Sequence, residues 1–237
     1  MKSSKNQSNL KKLYLTIPFL LVSKSAFSIG FCSKESIDVS FSVDYGKPKY
    51  IDISSGGLKK QTAKIVSNHK NPRGLTEASF SEKMDISFSL SQFGNQVCVY
   101  PKAVKVYMGY PSLNVYLDNK YNKNTCEYDT VLGHENQHVE IYQMGLKKFS
   151  KTISKRMYDI ITNVEPMRDT VSSSNDLSSS QWRVYTKRFN RDIGNLIEND
   201  KELQKYKNQM DAYIKRYNAA LDTEKNYNKT QLRCKNW

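Results

Sequence analysis

The hydrophobic period of this chain changes once, near Tyr128, and that change limits the fold more than any other feature. Upstream, Ile37-Asp-Val-Ser-Phe-Ser-Val43 and Met84-Asp-Ile-Ser-Phe-Ser-Leu90 alternate apolar and polar residues, as do Val104–Tyr107 and Val115–Leu117. A period of two marks half-buried strands, and Tyr50–Ile53 adds another candidate. Gly56-Gly57, Asn71–Gly74, Gly94-Asn95 and Gly109-Tyr110-Pro111 punctuate them as turns. Downstream, apolar residues from Val131 to Ile160 recur in steps of three and four, which predicts one long helix over 128–162 with Gly145 as its weak point. A serine-rich stretch from Glu165 to Ser180, containing Pro166, reads as a connecting loop. A second helix follows from Gln181 to about Tyr217, with Trp182, Phe189, Ile193, Leu203 and Met210 among its buried stripe. The expectation is a single α+β domain over 29–237. Its strand-rich part covers 29–120, mostly antiparallel, and its helix-rich part covers 125–225, folded as a helical hairpin.

The helix predicted from Tyr128 opens on His134-Glu135-Asn136-Gln137-His138, and these two histidines are two of only three in the chain. Four residues make slightly more than one helical turn, so both imidazoles project the same way and can bind one tetrahedral Zn²⁺. Glu135 is rotated about 100° from His134. From there it can reach a metal-bound water and take its proton, the role of a catalytic general base.

The first 28 residues read as a cleavable export signal. Lys2, Lys5, Lys11 and Lys12 precede the short apolar run Leu13–Val22, and Ala26-Phe27-Ser28 offers small residues for cleavage. The run falls short of the ~18 residues of a membrane span. The full chain carries a formal charge of +14, and loss of the segment removes five lysines and no acid, leaving +9. That balance favours an anionic envelope surface. It does not indicate nucleic acid, for which no module is present. Four cysteines remain, Cys32, Cys98, Cys126 and Cys234, an even number that suggests two disulfides in a periplasmic or secreted protein. Their spacing excludes a Cys-x-x-Cys site.

Thr130-Val-Leu-Gly-His-Glu-Asn-Gln-His-Val139 resembles the active-site helix of zincin metallopeptidases. The order of export signal, strands, cysteine, motif helix and second long helix is similar to the bacterial family of predicted secreted zinc-dependent proteases. The close match covers about ten residues. Glu140 departs from the wider pattern, which has an apolar residue there. The resemblance implies a zincin-like fold and hydrolysis of peptide bonds in a peptide or protein substrate. It also implies that the strand ahead of the helix, here Val115–Asp118 with Tyr116, binds substrate as an edge strand.

The third metal ligand has several candidates. Met144 occupies the position where metzincins carry a third histidine, which excludes that class. His69 lies in a turn-rich stretch and reads as a solvated loop residue. Glu165 would stand roughly 40 Å along an unbroken helix, so it serves only if the helix ends early. An antiparallel hairpin instead returns the end of the second helix to the motif, which offers Asp222 first, then Glu224. The same hairpin brings Cys234 towards Cys126, favouring Cys126–Cys234 and Cys32–Cys98 among the three pairings. The reading is a periplasmic or secreted zinc endopeptidase with His134, His138 and Asp222 on Zn²⁺ and Glu135 as base. Its rival is a non-enzymatic basic envelope protein that binds an anionic cell-wall, protein or membrane-surface partner.

Overall fold

β4 (Gln96–Asp118), 23 residues long, is the axis of the molecule. The structure, a computed structural model, describes residues 32, 36–63, 72–170 and 178–234; the segment expected to be an export signal and His69 lie outside them. β3 (Gly74–Phe93) runs antiparallel to β4 along its whole length. On the other side of β4 lie β5 (Met167–Thr170), antiparallel, then β1 (Asp38–Asp44) and β2 (Lys49–Ile53), both parallel. The longest pairing is therefore antiparallel as expected, while two of the four strand pairs are parallel. Gly109-Tyr110-Pro111 is not a turn, and Val104–Tyr107 and Val115–Leu117 belong to one strand.

Two irregularities explain why this strand reads as two. Ser87 pairs with Ala103 while Phe88 pairs with Pro101, and Ser79 pairs with Ser112 while Ser81 pairs with Gly109. At each shift β4 holds one extra residue, a bulge that reverses which side chains face which way. Val97 and Val99 point to the helices before the first bulge. Val104, Val106, Met108 and Tyr110 do so between the bulges, and Leu113, Val115 and Leu117 after the second. Every one of these is buried. The bulges keep one face apolar along the strand, and they break the period that sequence reading follows.

The helical layer covers that face. α2 (Cys126–Thr162) starts at Thr125, whose hydroxyl accepts from the Tyr128 N–H, with Glu127 and Asp129 in the first turn to complement the helix dipole. It is continuous through Gly145. A Cβ there would lie 2.6 Å from Cγ1 of Ile214, so the glycine marks where another helix crosses closely. α1 (Ser55–Thr62) takes up the Gly56-Gly57 stretch, and β5 lies within the expected 165–180 loop.

The second long helix is broken. α3 (Ser179–Asn199) and α4 (Lys201–Leu221) meet at Asp200, which has extended backbone angles and caps α4 through the Leu203 N–H at 2.7 Å. A short α5 (Glu224–Gln231) follows. Arg156 donates to both carboxylate oxygens of Asp200, at 3.0 and 2.6 Å. Residues late in α2 thus meet the start of α4, while His134 and His138 meet its end, so the two helices are antiparallel.

Arg156, with help from the Leu203 N–H, holds the Asp200 carboxyl below its usual range, although burial opposes this. A depressed folded pKa stabilises the native state above the unfolded value of about 3.9, and the contribution is lost as pH falls through the folded value. Asp200→Ala is expected to lower the melting temperature at neutral pH, with the lost cap alone costing about 1 kcal/mol. Asp200→Asn, which keeps an accepting cap, should lose less. The gap between wild type and either variant should narrow in melts run at progressively lower pH.

Disulfides join Cys32 to Cys98 and Cys126 to Cys234, each with Cα atoms 5.7 Å apart. No helix among the described residues is long and apolar enough to cross a membrane. Two disulfides fit an oxidising compartment.

Candidate metal centre

His134, His138 and Asp222 converge on one point. Nε2 of His138 lies 3.2 Å from Nε2 of His134 and 3.0 Å from Oδ1 of Asp222, and His134 Nε2 lies 3.2 Å from the same oxygen. Ligands held at 2.0–2.1 Å around a tetrahedral ion would be about 3.3 Å from one another. The histidines come from successive turns of α2. Asp222 sits at the C-terminal cap of α4, where the antiparallel crossing returns the chain to the motif. Both histidines are buried, and Asp222 is partly open at 28 % side-chain exposure.

Asn218, one turn before Asp222, settles the tautomer of His138. Its Oδ1 lies 2.9 Å from Nδ1 of His138 and can only accept, so Nδ1 carries the hydrogen. In the neutral ring Nε2 is then a bare lone pair, facing another imidazole nitrogen and a carboxylate oxygen. That lone pair, Nε2 of His134 and the Asp222 oxygen face one another, a donor set that could hold a metal ion. Burial lowers the pKa of His138, but the hydrogen bond to Asp222 and the charges of Glu135 and Asp222 outweigh it and raise it overall. For Asp222 burial raises the pKa, and the two histidines reverse this and hold the carboxyl far below its usual range.

Glu135 is 2 % exposed and is held under β3. Oγ1 of Thr76 donates to its Oε2 at 2.8 Å. Gly74, two residues earlier on the same face of β3, leaves the room the carboxylate fills, because a Cβ there would lie 2.5 Å from Oε1. Burial raises the pKa of Glu135, against the opposing pull of His138 and His134.

The other sequence candidates fall elsewhere. Glu165 follows the end of the unbroken α2, and Glu224 begins α5; neither joins the three-residue group. Tyr116 is not on an edge. At its position β4 pairs with Ile51 of β2 on one side and Leu75 of β3 on the other, so no substrate strand can add there. Tyr142 lies one turn beyond His138 and is hydrogen-bonded to Asn218. Sequence reading missed Thr76, Gly74 and the role of Asn218. Only Asn218 left a signal, its four-residue spacing from Asp222. Comparison with family models, curated proteins and solved structures finds no match for this chain.

Proposed function

We propose that this protein is an exported zinc-dependent peptidase. The observation that carries the reading is the convergence of His134, His138 and Asp222 beside a buried glutamate on the same helix turn. Two imidazoles and one carboxylate are a donor set that favours zinc. The described residues supply three ligands, which leaves a coordination position for solvent or substrate, the arrangement of a catalytic rather than a structural site.

Zinc, when bound, supplies a water whose pKa falls towards ~7 and a Lewis acid for the scissile carbonyl. The chain's own residues do the rest. Asn218 keeps His138 in the metal-binding tautomer, and Asn218 in turn bonds Tyr142. Thr76 and the gap at Gly74 fix the rotamer of Glu135. Glu135 accepts the proton of the attacking water and returns it to the departing amine.

Elemental analysis of the purified protein is expected to find about one zinc per chain, as three protein ligands and an open position imply. Hydrolysis of an unstructured protein such as casein should stop with a zinc chelator and return with added zinc. Metal-free protein without hydrolysis, whose binding to anionic polymers weakens with salt, would favour the envelope-binding alternative instead.

A further inference from the structure

A cleft of about 590 Å³ runs along the flank of α2 and opens onto His134. Thr130, Gly133 and Gln137 of α2 form one wall, and Asn226 and Lys229 of α5 with Arg233 form the other. Its volume lies within the range of ligand sites. The Cys126–Cys234 bridge fastens the second wall to the first residue of α2, and Thr130 Oγ1 lies 3.3 Å from Cys234 Sγ. The two walls are therefore tied together beside the candidate metal ligands.

The charge of the cleft is one-sided. Lys229 and Arg233 form no ion pair among the described residues. Among the described residues Asp129 is the only acid in the lining, and Leu221 is its one large aliphatic side chain. An apolar side chain would gain little here, and a lysine would meet two cations. A carboxylate would meet both cations, with the Thr130 and Gln137 side chains alongside, where charge-assisted hydrogen bonds are strong.

We propose that this cleft is a substrate subsite for a carboxylate next to the scissile bond. The carboxylate is either the side chain of an aspartate or glutamate or the free end of the peptide. The proposal rests on the peptidase reading, and it adds the substrate class.

The test measures binding of synthetic peptides to zinc-loaded Glu135→Gln protein, so that bound peptide is not consumed. Matched peptides carry Glu, Gln or Lys at each position in turn, with a free or an amidated C-terminus. The expected result is about tenfold tighter binding for one placement of the carboxylate, the gain expected of a charge-assisted pair. In Lys229→Glu/Arg233→Glu that preference should vanish and pass to the lysine peptide. Both residues are exposed, so the variant should fold, and a thermal melt with zinc analysis checks it; Lys229→Gln/Arg233→Gln serves as a milder second variant. A preference that follows the internal Glu identifies a side-chain carboxylate, and one that follows the free terminus identifies the chain end. Equal binding of all peptides, or a preference that survives both variants, overturns the subsite. Peptides that bind with the expected preference but are never cut by zinc-loaded wild type overturn the peptidase reading instead.

Discussion

His138→Ala is expected to abolish stoichiometric zinc binding. His138 offers one of three mutually close candidate ligand atoms, 3.0 Å from Asp222 and 3.2 Å from His134. Without it two donors remain, too few to hold zinc against water at a site that needs three or four. Asp222→Ala should do the same. Asn218→Ala tests the outer partner of His138 and should weaken zinc by about 10–100-fold, since only the tautomer and orientation of the ring are lost. The order of loss, ligand well beyond outer partner, can be read by competition with a chromophoric chelator. If His138→Ala binds zinc as tightly as wild type, the metal sits elsewhere and the assignment fails. Because α2 and α4 meet at this point, the ligand variants should also lose the stabilisation that zinc gives the wild type, visible as a melting temperature that no longer rises with added metal.

The motif was legible because its chemistry needs fixed spacing on a helix, and the apolar period over 128–162 located that helix to within two residues of Cys126–Thr162. Asp222 was legible through the hairpin argument, which depends only on two long helices packing antiparallel. What stayed hidden lay where the local pattern and the tertiary structure disagree. The bulges in β4 shift the apolar register, so a strand of continuous burial looked like two strands and a turn. β2 runs parallel to β4, a pairing that leaves no hairpin signal, and so Tyr116 looked like an edge residue. The break at Asp200 was masked because Leu196 and Leu203, seven residues apart, keep helical spacing across it. Its signs were Asp200 itself and Glu202 in the following turn, the pattern of a helix start. Thr76 and Gly74 belong to the first part of β3, where no alternation announced a strand, and they act on a residue 59 positions downstream of Thr76. Contacts at that separation carry no local period at all.

Glu135→Gln is expected to keep zinc and lose hydrolysis by about 10²–10⁴-fold, the usual contribution of a positioned general base. The substitution is nearly isosteric. Thr76 can still donate to the side-chain oxygen, and the room above Gly74 is unchanged, so the fold and the three ligands should be unaffected. The charge is lost, and with it the ability to take a proton. This separates chemistry from architecture more cleanly than a ligand variant does, because every structural reading of Glu135 predicts little change. If Glu135 served only to join α2 to β3, Gln would preserve that link and activity would persist. If it is the base, zinc content and melting temperature stay near wild type while turnover collapses, and the pH profile of the residual activity loses its acidic limb. Hydrolysis at wild-type rate with zinc bound would leave the metal centre standing and remove Glu135 from the mechanism.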